Sequence, residues 1–406
     1  MQLAHKIEMK PNEEQAQKLN CACGCARFAY NWGLAKWKEL YESWKLDNSQ
    51  PKPKANLIKK EFNRIKKVQF PWIYESPKDA NQQSFANLDQ AFKRFFKKKS
   101  KFPTFKKKTS RSSFYISNDK FRIIKNIIVL PKIGEIKLTE ELRFKGKIIS
   151  ATVSKIAHKW FVSVQVDTNV SKERQTINEV VGIDLGLNHF ATLSDGEVID
   201  SPKPLKRYTK LLQKRQRQHS NKVNGSNNRK RSAMKLARLH FKIKCQRHDF
   251  IHKLSTKICR ENQAICMENL KVKNMMKNHR LARSISDAGW GEFKRQIEYK
   301  AKLFGNNVIF ADTFYPSSKT CSSCGCVNKS LTLKDRVFIC VVCNNEMDRD
   351  LNAAVNLSRL GSSRIYACGH VTSIDSALES VSCMDETRIT QVYTSLHFVE
   401  SSKVDQ

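Results

Sequence analysis

Four cysteines and three acids in this chain could do chemistry. Cys321-Ser-Ser-Cys324 and Cys340-Val-Val-Cys343 are two CxxC pairs with 15 residues between them. That spacing matches the four-cysteine zinc pattern, which runs roughly 15–20 residues between pairs. Four thiolates complete a tetrahedral zinc and leave no open position, so the metal would be structural. Soon after, Asp348-Arg-Asp350 opens an Ala-rich helical segment. Upstream, Asp184 interrupts the apolar run Val180-Val-Gly-Ile-Asp-Leu-Gly-Leu187, and Glu268 interrupts Ala264-Ile-Cys-Met-Glu-Asn-Leu270. An ionised carboxylate in a buried strand is expensive unless it is paired or binds a metal. If the two strands are neighbours, Asp184 and Glu268 meet at their ends and Asp350 approaches from the helix. Such a cluster needs cations. Two Mg²⁺ ions, or Mn²⁺, roughly 3.5–4 Å apart would satisfy hard oxygen ligands and clamp an in-line phosphodiester displacement.

Each acid taken singly has a plainer reading. Asp184 beside glycines fits a turn, Glu268 fits a buried ion pair, and Asp348 and Asp350 both fit helix N-caps. Asp348 is assigned to the cap. The combination of an Asp in one strand, a Glu in another and an Asp before a helix favours a polynucleotidyl hydrolase of the RNase H-like class.

The elements that must position these groups follow from periodicity and turn signals. Residues 2–9 read as a strand. Residues 13–44, 55–65 and 78–99 read as helices, and 113–116, 121–124, 127–130, 134–138, 148–154 and 160–165 as short strands. The short strands suggest a small antiparallel β-barrel. If strand 2–9 joins it, the helices become an insertion. A polar linker over 167–178 leads to strands at 180–187, 189–194 and 197–199. A basic helical hairpin over 203–223 and 230–260 follows, turning at Gly225-Ser-Asn-Asn228. A strand at 264–270, a helix at 290–304, a strand at 307–311, the cysteine insert and a helix at 350–360 close the fold. The expected class is α+β multidomain. The barrel takes 1–10 and 112–176, the helical insertion 11–111, an RNase H-like α/β nuclease domain 177–315 and 347–361, the zinc insert 316–346, and a flexible tail 362–406.

Composition bounds the partner. Of 406 residues, 74 are Lys or Arg against 38 Asp or Glu, a formal charge of +36. An excess this large repels itself unless a polyanion is bound, which points to nucleic acid. A membrane is the weaker reading, because no segment has the near-20 apolar residues of a span. The N-terminus lacks an apolar signal core, so a cytoplasmic, nucleoid-associated location is expected. The 13 cysteines form no even framework, and a reducing compartment fits. Cys21, Cys23 and Cys25 share no helical face and read as small packing residues. Cys326 lacks a CxxC partner. Lys97, Lys98, Lys99, Lys101, Lys106, Lys107, Lys108 and Arg111 are interleaved with Phe102 and Phe105. They could neutralise phosphates while the rings stack; a solvated loop is the bland alternative. Arg229, Lys230 and Arg231 give the hairpin a similar patch.

Several stretches together resemble one family. Gly182-Ile-Asp-Leu-Gly-Leu187, Met267-Glu-Asn-Leu270, Ser317-Ser-Lys-Thr-Cys-Ser-Ser-Cys-Gly325 and Asp348-Arg-Asp-Leu-Asn-Ala-Ala-Val-Asn356 are similar to TnpB, also called OrfB. These are transposon-encoded relatives of the compact type V CRISPR effectors, also described as transposases. Arg27-Phe-Ala-Tyr-Asn31, Phe105-Lys-Lys-Lys108, Leu130-Pro-Lys-Ile-Gly134 and Gly225-Ser-Asn-Asn-Arg229 add to the likeness, which covers about residues 1–360. The resemblance implies a wedge barrel with an inserted helical recognition domain, then a RuvC-like nuclease carrying a zinc insert. It implies an RNA-guided DNA endonuclease whose partners are a guide RNA from the transposon end and double-stranded target DNA. Carried across, the magnesium-binding catalytic acids would be Asp184, Glu268 and Asp350, and the zinc ligands Cys321, Cys324, Cys340 and Cys343. One departure is visible: Asn344 stands where the family usually has Gly after the second CxxC. Asn tolerates the left-handed conformation, so the knuckle should survive. Two other functions stay open at this level: RNA-guided DNA binding without cleavage, and strand transfer by the protein itself.

Overall fold

A computed structural model describes residues 1–108, 112–168, 178–332 and 334–372. Arg111, residues 169–177 of the expected linker and residues 373–406 of the expected tail lie outside them. The chain forms two compact units. The first comprises Met1–Glu173, Pro202–Lys257 and Val272–Gly305; the second comprises the described residues within Arg174–Ser201, Ile258–Lys271 and Asn306–Gln406.

In the first unit, β1 (Gln2–Lys10) leads into α1 (Glu13–Leu46), α2 (Ala55–Gln69), a 3₁₀ turn at Pro71–Glu75 and α3 (Lys78–Phe96). Asn12 starts α1 with a reciprocal cap: its side chain accepts from the Gln15 amide at 2.8 Å, and the Gln15 side chain accepts from the Asn12 amide at 3.1 Å. The strands β2 (Ser113–Ser117), β3 (Arg122–Ile124), β4 (Ile127–Leu130), β5 (Gly134–Leu138), β6 (Lys147–Ile156) and β7 (Lys159–Asp167) follow. They build a seven-stranded antiparallel sheet in the order β2-β6-β7-β1-β5-β4-β3. The first strand therefore sits in the middle of the sheet, and α1 to α3 are inserted between it and the second. Alternation puts Ile7, Met9, Val162, Val164 and Val166 on the buried face, where α1 lays Leu19, Ala22, Cys23 and Ala26.

Further along α1, Cys25, Ala29, Leu34 and Trp37 pack in a second core with Phe62, Phe85 and Phe92. Trp37 and Phe92 stack with centroids 4.0 Å apart. Cys23 and Cys25 thus serve two different cores, as expected of packing residues, and burial pushes the Cys23 thiol up to about 12. Helix α3 ends three residues before the expected position, because Lys98 turns left-handed (φ 54) and its amide closes onto the Phe95 carbonyl.

The second unit begins with β8 (Asn178–Asp184), β9 (Ala191–Leu193) and β10 (Val198–Ile199). The helical hairpin α4 (Pro204–Ser220) and α5 (Asn227–Glu261) then intervenes, and most of it packs with the first unit, as do α6 (Val272–Met275), α7 (Ala282–Ala288) and α8 (Trp290–Phe304). Helices α6 and α7 are short and carried no periodicity in the sequence. Between and after these helices, β11 (Asn262–Glu268) and β12 (Asn307–Ala311) complete a five-stranded sheet, order β10-β9-β8-β11-β12. Strands β8, β11 and β12 are parallel, and β9 is antiparallel to β8 and β10. The cysteine insert contributes the hairpin β13 (Val337–Ile339) and β14 (Glu346–Asp348), and α9 (Arg349–Thr372) follows directly.

Helix α9 corrects one expectation. The expected tail over 362–406 begins inside α9, which runs through Gly361 to Thr372. Gly361 is a packing residue: a Cβ there would lie 2.8 Å from Val180 and 2.9 Å from Cys266. No helix among the described residues is long and apolar enough to cross a membrane.

Candidate active site

Asp184 is the last residue of β8 and Glu268 the last of β11. The two strands are parallel, with Met267 opposite Ile183, so the acids occupy the next positions at the carboxyl ends of adjacent strands. In open sheets with parallel strands, ligands bind outside the carboxyl ends of the strands.

Gly182 lets the helix that carries the third acid approach. Helix α9 crosses β8 so closely that a Cβ on Gly182 would fall 1.9 Å from the Ala354 carbonyl oxygen. Ser358 fixes the crossing by donating to the Val180 carbonyl at 3.0 Å. The first turn of α9 then overhangs the strand ends, and a Cβ on Gly186 would sit 4.0 Å from Asp350 Oδ2. Gly182 therefore makes room for the α9 backbone, whereas a Cβ on Gly186 would crowd the His189 carbonyl at 3.0 Å.

Asp184 is pushed up to about 8 by burial first, then by Glu268 and Asp350, with Arg349 opposing. Glu268 Oε1 accepts from the buried Ser317 hydroxyl at 2.8 Å. Asp348 caps α9, its Oδ1 accepting from the amides of Asp350 at 2.9 Å and Leu351 at 3.0 Å, in agreement with the cap reading. Asp350 Oδ1 accepts from Arg349 at 2.9 and 3.2 Å. Sequence reasoning missed Arg349 and Ser317 as site residues. Their signal was position alone: Arg349 lies between two acids, and Ser317 opens the cysteine insert.

A carboxyl that titrates near 8 when folded and near 3.9 when unfolded retains a proton that the unfolded chain has lost. Stability of the metal-free site therefore falls as pH rises from about 4 to about 8, by at most about 1.4 kcal/mol per pH unit. Thermal unfolding between pH 5 and 8.5 in magnesium-free buffer is expected to show a falling Tm. Asp184→Asn should flatten that slope; an unchanged slope would place the titration elsewhere.

The four cysteines converge as the spacing predicts. Their sulfurs all lie within 4.8 Å of one another. Cys321 and Cys343 are 3.6 Å apart and Cys324 and Cys340 3.5 Å, close to the ~3.8 Å sulfur separation around a tetrahedral ion with 2.3 Å Zn–S bonds. Both knuckles share one backbone pattern. Gly325 donates to the Cys321 carbonyl at 3.0 Å and Asn344 to that of Cys340 at 3.1 Å, with φ of 78° and 52°. Asn344 thus takes the left-handed conformation that the departure from Gly required. Amides of Cys343 and Val342 point at Cys340 Sγ and bring its thiol down to about 6. Cys326 stays outside the thiol group and packs on the insert's small core of Cys321, Leu331, Phe338 and Cys340. Helix α9 grips the insert through two buried asparagines: Asn352 and Asn356 donate to the Thr320 carbonyl, at 2.7 and 2.6 Å.

The basic residues are placed unevenly. Lys97, Lys98, Lys99, Lys107 and Lys108 are exposed in the first unit. Lys106 is tied to α1: Asn31 exchanges two hydrogen bonds with its backbone, at 2.8 and 3.0 Å, and its ammonium lies 3.8 Å from the centroid of the Tyr30 ring. That accounts for the Tyr30-Asn31 pair. Phe105 is 49% exposed with Lys38 over its ring, whereas Phe102 packs edge-on against Phe92 and Phe95. A polar cleft of about 230 Å³ in this unit is lined by Arg27, Gln83, Asn87, Lys106, Lys107 and Thr152, among others. On the hairpin, Lys230 and Arg231 are exposed, but the Arg229 guanidinium donates to the Lys222 carbonyl at 2.6 Å and closes the end of α4.

Segments of the chain match known families. A family model described as "Probable transposase", OrfB_IS605, matches residues 162–279, and one described as "Cas12f1-like, TNB domain" matches 290–357. A "Helix-turn-helix domain" model matches residues 1–45, where the structure has β1 and one long helix. A Streptomyces pristinaespiralis protein named "Putative RNA-guided DNA endonuclease" is 37% identical over 371 residues, covering 90% of each chain. "Putative RNA-guided DNA endonuclease InsQ" of Escherichia coli K12 is 32% identical over 384 residues, covering 91% of this chain and 94% of its own. In fold, the chain is similar to the protein in the cryo-EM structure of the Cas12f1-sgRNA-target DNA complex. The TM-score is 0.51 at 17% identity, covering 85% of this chain and 82% of that one.

Proposed function

From the premise that the chain belongs to the TnpB/OrfB family, we propose that it is an RNA-guided DNA endonuclease of a transposon. One observation carries the catalytic part: Asp184, Glu268 and Asp350, far apart in sequence, converge at the carboxyl ends of adjacent strands in the second unit's sheet. The order of that sheet, with three parallel strands flanked by an antiparallel one, supports an RNase H-like, RuvC-like domain made from 177–315 and 347–361. In this reading the seven-stranded sheet is the wedge element, α1 to α3 the inserted recognition domain, and 316–346 the zinc insert.

The donor sets fit two different metals. Three carboxylates are hard oxygen donors suited to Mg²⁺ or Mn²⁺, and four thiolates suit a structural Zn²⁺. Bound in pairs, Mg²⁺ would supply Lewis-acid stabilisation of charge on the attacking and leaving oxygens. The protein's part is to hold Glu268 through Ser317, to fix the first turn of α9 through the Asp348 cap, and to press that turn onto Gly182. Sequence choice rests on guide pairing, with the protein reading heteroduplex shape and a short flanking motif. The exposed lysines after α3 and the polar cleft beside Lys106 and Lys107 are suited to phosphate and groove contact, as are Lys230 and Arg231 on the hairpin. A cytoplasmic, nucleoid-associated site of action follows from that substrate.

The test is to purify the protein from cells carrying its native locus and to sequence the RNA bound to it. An enriched transcript from the transposon end is expected. Cleavage of DNA by RNA-free protein would instead favour a strand-transferring transposase, and no enriched RNA would remove the guided reading.

A further inference from the structure

The fold places a positive charge of its own against the acid cluster. Arg349 Nε and Nη2 both donate to Asp350 Oδ1, at 3.2 and 2.9 Å. The pair is largely withdrawn from water, with side-chain exposures of 14% and 19%. Arg349 is also fixed at its root: its amide donates to the Arg336 carbonyl at 2.8 Å, one residue past the Asp348 that caps the helix. Charged hydrogen bonds of this kind, partly desolvated, are stronger than surface ion pairs.

Asp350 lies beside Arg349, and the Arg349 charge also opposes the rise at Asp184. A divalent ion at this site needs carboxylate oxygens of Asp350, and it repels a guanidinium lying on the same carboxylate. Ion and guanidinium are therefore competitors for one group. We propose that Arg349 is a resident counter-ion of the acid site, holding Asp350 in the metal-free protein and giving it up when a divalent cation binds, so that this residue sets the metal affinity of the site. The inference rests on the reading of Asp184, Glu268 and Asp350 as metal ligands.

Mn²⁺ binding to zinc-loaded, full-length protein, followed by titration calorimetry and by the electron paramagnetic resonance signal of free Mn²⁺, tests it without any cleavage assay. Arg349→Gln removes the competitor and should bind Mn²⁺ about tenfold tighter, a change of about 1.4 kcal/mol. Its metal-free Tm should fall, because Asp350 loses its counter-ion, and Mn²⁺ should restore more of that Tm than in the wild type. Arg349→Lys keeps the charge with a less directional donor and should lie between the two. It also serves if Arg349→Gln folds poorly. A merely structural arginine would lower the Tm and leave Mn²⁺ affinity unchanged or weaker, which overturns the proposal. Asp184→Asn separates the two layers of the argument. If it binds Mn²⁺ as the wild type does, the metal reading of the acids fails and this proposal fails with it.

Discussion

Asp184→Ala is expected to abolish target cleavage, by about 10³-fold or more, while guide RNA and target DNA binding stay within a few-fold of the wild type. A loss of that size is about 4 kcal/mol of transition-state stabilisation, within what a positioned metal supplies. The variant should not be a folding mutant. Asp184 is a carboxyl held up to about 8 by burial and by Glu268 and Asp350, so removing it relieves repulsion and does not break a partnership. Its metal-free Tm at pH 7.5 should equal or exceed that of the wild type. The measurements are cleavage of a matched plasmid by protein loaded with its guide, and a binding titration on the same DNA. Binding that falls as far as cleavage would mean that Asp184 supports the fold or the nucleic-acid surface and is no catalytic ligand.

Cys340→Ser is expected to be nearly as damaging, for a different reason. Among the described residues the insert's core is Cys321, Leu331, Phe338 and Cys340 with Cys326 packed on it, too small to fold without a metal. Structural zinc supplies roughly 10–16 kcal/mol to such a module, and one lost thiolate forfeits much of it. The damage reaches the acids by a traceable route. Ser317 begins the insert and orients Glu268, and Thr320 is the acceptor through which Asn352 and Asn356 of α9 hold it. With the insert unfolded, Glu268 loses its hydroxyl partner and the helix that carries Asp350 loses its brace. Cleavage should drop about 10²-fold or more, with less than one zinc per chain by metal analysis. Full cleavage by zinc-depleted protein would show that the insert does not position the site. Cys326→Ser is the control: Cys326 is outside the thiol group, and the zinc content should not change.

Much of the fold could be read from local pattern. Strands 113–165 alternate, their inward positions are the buried ones, and the structure finds each within a few residues of its expected span. The long helix from Glu13 is legible from its apolar periodicity, and the structure adds the Asn12 capping box that starts it. Short α6 and α7 were invisible because neither is long enough to show a period. The helix expected over 350–360 runs on to Thr372, and Gly361 inside it illustrates two physical uses of glycine. A glycine ends a helix when its backbone turns left-handed, and it permits close packing when it stays helical. Only its neighbours Val180 and Cys266 distinguish these uses. Arg229 is a similar case. Its charge is evident in the sequence, but its engagement with the Lys222 carbonyl depends on how the hairpin turns.

By itself, then, the sequence determined which groups could do chemistry. Two CxxC pairs define a thiol site because ligand spacing is local and the knuckle forms within a few residues. The Asp348 cap is likewise a matter of two neighbouring amides. The tertiary structure alone decided that Asp184, Glu268 and Asp350 come together at the carboxyl ends of adjacent strands, because their meeting depends on strand order and on how closely α9 crosses β8 at Gly182. It alone revealed Ser317 on Glu268 and Arg349 on Asp350. A carboxylate's partner and its proton affinity come from charges and burial contributed by distant segments, and no local pattern encodes them.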